Sequence, residues 1–106
     1  LDVAHNPHAA ERLARSLAAM EPFRETHAVF GMLADKDIEG VVRAVRGHVD
    51  RWFVAPLPGP RGAGVQRVTA ALDAEQVLDP VHACADVADA LARARAAARA
   101  DDRIVV

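Results

Sequence analysis

LDVAHNPHAAERLARSL, residues 1–17, reads as the end of a strand, a short polar turn and a helix, and that order decides the fold class. Leu1 to Val3 are strand-like. Asn6-Pro7 is a helix start: Asn6 can accept from the second or third helical N–H, and Pro7 at the first helical position lacks an N–H that would have had no intrahelical partner. Ala10, Leu13, Ala14 and Leu17 then recur on one helical face. Asp2, His5 and Asn6 lie between strand and helix, the junction at which open α/β sheets bind ligands. The positive end of the helix dipole at that point suits an anion such as a nucleotide.

The same alternation continues down the chain. HAVF, His27 to Phe30, is a short apolar strand stopped by Gly31. After the loop GMLADKD, Asp37 caps a helix carrying Ile38, Val41, Val42, Val45 and Val49. RWFVAP, Arg51 to Pro56, is the next strand, and alternation sends Trp52 and Phe53 to opposite faces. LPGPRGAG, Leu57 to Gly64, is a structured loop over the sheet edge. A short helix with Val65, Val68 and Leu72 follows, then a short strand around Gln76 to Leu78. Asp79-Pro80 repeats the earlier start signal and predicts the longest helix, through Val81, Cys84, Val87, Ala88 and Leu91 into a solvated Ala/Arg run ending at Arg99. Arg103 to Val106 form the last strand. Met20, Met32, Phe23, Phe30 and Trp52 read as core or domain-interface packing. Strands alternating with helices over short loops imply right-handed βαβ units, hence a three-layer Rossmann-like α/β domain with a mainly parallel sheet.

Composition narrows the function classes. A chain of 106 residues, 52% hydrophobic and 26% charged, is one folded domain rather than a disordered segment. A formal net charge of −2 argues against non-specific nucleic-acid binding. The lone Cys84 cannot form an internal disulfide and reads as a small buried apolar residue in a reducing compartment. With no bilayer-spanning stretch and no signal peptide, a cytoplasmic, membrane-free domain is expected. Both ends fall inside strand-like sequence, so the expectation is a piece of a longer polypeptide.

Several α/β chemistries lack their residues. The first βα turn, AHNPH, has no glycines to admit a dinucleotide pyrophosphate, and no GxxxxGK[ST] run exists for a triphosphate. Ala55-Pro56 stands where a receiver domain would want a carboxylate. His5, His8, His27, His48 and His82 have no metal-site spacing, so no metal ligands are expected. Ser16, the only serine, lies on the first helix and not on a nucleophile elbow.

DVAHNPHA, FGMLADKD and APLPGPRGA together resemble, in order and spacing, the carboxy-terminal domain of the bacterial folylpolyglutamate synthase/dihydrofolate synthase family within the Mur ligase superfamily. The resemblance covers essentially the whole chain. It implies part of an ATP-dependent amide ligase for folate biosynthesis, in which a carboxylate of dihydropteroate or of a folate becomes an acyl phosphate and the amine of L-glutamate displaces phosphate. An amino-terminal domain of the same polypeptide would carry the P-loop, the magnesium ligands and most of the pterin site. This domain would close over ATP, help to bind glutamate, and be inactive alone, with no catalytic residue of its own. The alternative class is a non-catalytic α/β ligand-binding or interaction module.

Carried over by position, Asp2 matches the aspartate that contacts ATP, where a carboxylate suits the ribose hydroxyls. His5 matches the histidine beside the nucleotide phosphates. Asn6 belongs to the same ATP-binding motif and is also a helix cap. Lys36 matches a lysine that binds the carboxylate of the amino-acid substrate; as a bare residue it is a surface lysine between Asp35 and Asp37. Arg61, in GPRG, is either a second ligand for the glutamate anion or a pin for its own loop.

Overall fold

The computed structural model describes residues 6–20 and 22–105. The expected strand at Leu1 to Val3 lies outside them, as do Asp2 and His5. The elements are α1 (Pro7–Ala19), β1 (Thr26–Phe30), α2 (Ile38–Val45), β2 (Arg51–Val54), α3 (Val65–Ala74), β3 (Val81–Ala83), α4 (Val87–Ala97) and β4 (Arg103–Val105). The four strands form a sheet of order β3-β2-β1-β4, parallel at every pairing. Register pairs Phe30 with Val54, Trp52 with Val81 and Thr26 with Arg103.

Strand alternation divides the core. Ala28, Trp52 and Val54 face one side with Ala10 of α1, Ile38, Val41, Val42 and Val45 of α2, and Val68, Ala71 and Leu72 of α3. Val29, Phe53 and Ala55 face the other with Ala90 and Ala94 of α4. Helices thus cover both faces, as a parallel sheet requires. Trp52 meets Phe30 edge to face, centroids 5.4 Å apart, and Phe53 stacks on His82 at 4.9 Å. Among the described residues no helix is long and apolar enough to cross a membrane.

Several local expectations are corrected. Gln76 to Leu78 is not a strand: Gln76 takes a left-handed φ of 59°, turning the chain after α3. The strand comes later, at Val81–Ala83, because β2 needs a partner on that side; Trp52 N donates to Pro80 O and Cys84 N to Val54 O. Asp79-Pro80 therefore opens a strand rather than a helix. The helix start moves to Asp86, whose side chain accepts from Asp89 N at 2.7 Å, and α4 with 11 residues is shorter than α1 with 13. Cys84 is buried as expected, but just past β3 rather than in a helix. Val49 lies beyond α2, after a 3₁₀ turn over Arg46–His48, and is buried from an extended backbone. Met32 and Trp52 are core, whereas Met20 (55%) and Phe23 (42%) are substantially exposed.

The amino edge of the sheet carries a polar clamp that the apolar look of HAVF concealed. Asp102, its side chain shielded from solvent, accepts from Arg24 Nη2 (2.7 Å), Arg99 N (2.9 Å), Glu25 N (3.1 Å) and His27 Nε2 (3.0 Å). A carboxylate only accepts, so Nε2 of the fully buried His27 is the donor in this contact. Arg51 holds Glu25 at 3.0 Å, and Arg103 donates to Thr26 Oγ1 and to Leu17 O, tying β4 to β1 and to α1. Burial by itself pushes the Asp102 carboxyl up, but the Arg99 amide, Arg24 and His27 together hold it far below the usual carboxylate range.

A depressed folded-state value means that Asp102 stabilises the fold above the unfolded-state carboxylate pKa of about 3.9, and that this contribution is lost as pH falls below it. Asp102→Asn should therefore lower the midpoint of thermal unfolding at neutral pH and flatten its decline below about pH 4. Circular-dichroism melts across pH check this; a variant that melts in parallel with the parent at every pH excludes Asp102 as the linked group.

Candidate functional site

The opposite, carboxyl edge is built by the loops that leave β1 and β2. Gly31 follows β1 directly, and a Cβ there would lie 2.9 Å from Ala55 O and from a Leu57 methyl, so only glycine lets the two exits run side by side. Ala63 N then donates to Met32 O (2.9 Å), Ala34 N to Arg61 O (2.8 Å), and Leu33 bridges antiparallel to Gly62. Gly62 has no room for a Cβ against Leu57 O, and Gly59 turns the loop at a φ of 90°. GMLADKD and LPGPRGAG, distant in sequence, form one stitched platform.

Lys36 stands on that platform. Its N–H donates to Leu33 O at 3.2 Å and its carbonyl accepts from Ile38 N at 3.0 Å, which turns the chain into α2. Asp37 caps that helix as expected, its Oδ1 accepting from Gly40 N at 3.0 Å. Asp35 turns the other way, to Arg61 Nη2 at 3.3 Å. Both acids beside Lys36 are thus engaged elsewhere, and among the described residues no carboxylate pairs with its exposed side chain.

The first turn of α1 packs against the same place. A Cβ on Gly40 would lie 2.7 Å from Pro7 Cγ and would collide with the Asp37 carboxylate, so α1 and α2 bring their N-termini together only because residue 40 is glycine. Asn6 caps α1, its Oδ1 accepting from Ala9 N at 2.8 Å. The structure therefore gives Asn6 its capping role and draws Asn6, Lys36 and Arg61 to one edge. Asp2 and His5 precede α1 outside the described residues. Arg61 does not simply pin its own loop; it reaches across to Asp35, a contact between residues 26 apart for which the sequence offers no periodic signal.

The edge favours anions. α2, α3 and α4 each start there, after β1, β2 and β3, and their partial positive ends add to Lys36 and Arg61. Such a surface can hold carboxylate or phosphate. Among the described residues the donors close enough to share a metal are Glu25, His27 and Asp102, within 4.8 Å of one another. They lie at the amino edge, and Arg24 and Arg51 already occupy their carboxylates. That cluster is an ion-pair network whose guanidinium groups would repel a cation.

A sequence profile of the Mur ligase, glutamate ligase domain matches residues 1–106. The dihydrofolate synthase/folylpolyglutamate synthase of Escherichia coli is 42% identical over 105 residues, covering 99% of this chain and 24% of that protein. Among solved structures, E. coli FolC in complex with DHPP and ADP superposes with a TM-score of 0.91 at 40% identity over 100% of this chain and 24% of its own. A bifunctional folylpolyglutamate synthase/dihydrofolate synthase with Mn, AMPPNP and L-glutamate bound gives a TM-score of 0.88 at 40% identity, with the same coverage. The chain spans about a quarter of the length of these relatives. Profile, identity and superposition agree with the parallel sheet and the DVAHNPHA and GMLADKD motifs in placing it: the chain belongs to the Mur ligase family, as a glutamate ligase domain.

Proposed function

We propose that this chain receives L-glutamate and closes over ATP in an ATP-dependent ligase that joins glutamate to dihydropteroate or a folate. The observation that carries the reading is Lys36: an exposed ammonium on a rigid platform at the carboxyl edge, with both neighbouring acids engaged elsewhere. A lysine so placed is a point charge for a carboxylate. The N-terminus of α1 packs against Gly40, in the first turn of the helix that Lys36 precedes, so the segment that carries Asp2, His5 and Asn6 would serve the nucleotide while Lys36 and Arg61 serve the amino acid.

In this reading ATP supplies the phosphoryl group that activates the acceptor carboxylate. The work of this chain is to bind and orient the glutamate amine and, by closing, to keep water from the activated carboxylate. Asp2 would accept from the ribose hydroxyls and His5 would donate toward the phosphates. The P-loop, the carboxylates for Mg2+ and the pterin site would belong to an amino-terminal domain of the same polypeptide. A cytoplasmic setting is part of the reading.

Lys36→Ala in the full-length ligase should raise the KM for glutamate about tenfold or more, as expected for a charged hydrogen bond of about 1.5 to 3 kcal/mol, with the KM for ATP little changed. Steady-state kinetics decide: a shift confined to ATP would hand Lys36 to the nucleotide, and unchanged constants would make it a plain surface lysine.

Asp2→Asn should weaken ATP instead, by about 1 to 3 kcal/mol, and leave pteroate binding unaltered. Titration of the full-length variant with nucleotide reads this directly, and an affinity for ATP equal to the parent's removes Asp2 from the site. The present chain by itself, given ATP, Mg2+, dihydropteroate and glutamate, should release no phosphate and form no product. Turnover surviving mutation of Asp2, His5 and Lys36 would contradict the division of labour.

A further inference from the structure

We infer that Asp35 is an internal stand-in for a substrate carboxylate on Arg61, so that Arg61 is a second carboxylate receptor, masked by Asp35 until a dicarboxylate arrives. The inference rests on the reading of this edge as the glutamate site and adds to it a competition between protein and substrate for one guanidinium.

The Asp35–Arg61 pair differs from the structural arginine pairs of the same chain. Arg43 grips Glu75 with two nitrogens at 2.9 and 3.0 Å, and Arg67 grips Glu39 likewise at 2.9 and 2.8 Å, each clamping α2 to α3. Arg61 touches Asp35 through Nη2 alone, at 3.3 Å, with the two side chains 74% and 59% exposed. Two-nitrogen geometry is what gives an arginine–carboxylate pair its strength, and a single exposed contact is weak. Among the described residues nothing else holds the rest of the Arg61 fork, which leaves it for another carboxylate.

The backbone, by contrast, is held firmly. Arg61 O accepts from Ala34 N at 2.8 Å, Gly62 bridges Leu33, and Gly62 is packed too closely on Leu57 to carry a side chain. A surface arginine that merely solubilised a loop would not need its base fixed to the neighbouring loop. The base is fixed while the head is loosely paired, so exchange of one carboxylate for another needs no movement of the backbone.

The position of Lys36 completes the case. It follows Asp35 directly, and its N–H is bound to Leu33, the residue that bridges Gly62. One platform thus presents two cations, one unpaired among the described residues and one weakly paired. Glutamate presents two carboxylates. With one on Lys36, the other can displace Asp35 from Arg61, and the released Asp35 is solvated at little cost because it is already exposed. A monocarboxylate held on Lys36 has no second carboxylate to make that exchange, which gives the site a preference for dicarboxylates. Apparent affinity is reduced by the fraction of time that Asp35 occupies Arg61.

The test is kinetic, on the full-length ligase, with L-glutamate and ATP each varied for the parent, Asp35→Asn, Arg61→Gln, the double variant and Lys36→Ala. Asp35→Asn should lower the KM for glutamate about two- to fivefold, the range set by an exposed ion pair, with the KM for ATP unmoved. Arg61→Gln should raise the KM for glutamate, and the gain should vanish in the double variant. An Asp35→Asn enzyme whose KM for glutamate rises or stays put overturns the inference, since Asp35 would then be a strut for Arg61. A gain that survives Arg61→Gln, or that falls equally on ATP, overturns it as well, being only the effect of one less negative charge. If Asp35→Asn fails to fold by thermal melt, Asp35→Ser carries the same expectations. Should Lys36→Ala raise the KM for glutamate while the Asp35 variants are inert, only this inference fails; should Lys36→Ala and Arg61→Gln both be silent, the assignment of the glutamate site fails with it.

Discussion

Parallel pairing of β1 with β2, carried outward to β4 on one side and β3 on the other, is the constraint on which the molecule depends. Parallel strands all enter at one edge and leave at the other, and each return must cross a face of the sheet. The crossings bury Trp52 under α1, α2 and α3 and Phe53 under α4, so a single pair of adjacent residues anchors both halves of the core. The entries and exits, gathered at separate edges, are then free to be built for different purposes.

The two edges solve opposite electrostatic problems. At the amino edge Asp102 is removed from water and surrounded by four donors, because a buried carboxylate is tolerable only when its lone pairs are taken up. Arg24, Arg51 and Arg103 then lock β1, β2 and β4 together where their strands begin. At the carboxyl edge the cations are left exposed and incompletely paired. Lys36 and Arg61 retain the capacity to bind that Arg24 and Arg51 have given up to the fold.

Glycine lets the exposed edge pack closely. Gly31, Gly40 and Gly62 stand where backbone or another helix comes too close for a Cβ, and together they press the loops after β1 and β2 and the first turn of α1 into one surface. The result is a closely packed backbone surface from which the two cations, Lys36 and Arg61, extend into solvent.

What the sequence by itself determined was whatever depends on neighbours along the chain. Asn6-Pro7 and Asp37 specify their helices through bonds to residues three positions on, and the alternation of RWFV assigns Trp52 and Phe53 to opposite faces. The motif loops, read together, also pointed to the family. The tertiary structure decided what depends on residues far apart. Asp79-Pro80 looks locally like Asn6-Pro7, yet it opens a strand because the unpaired edge of β2 accepts Val81–Ala83, a contact invisible to helical spacing. His27 passed for part of an apolar strand until Asp102, 75 residues later, supplied its partner. Asp35 was one of two acids beside a lysine until the folded loops set it against Arg61. Local hydrogen-bond chemistry is written in short spacings, whereas an ion pair between loops exists only once a sheet has brought their ends to the same edge.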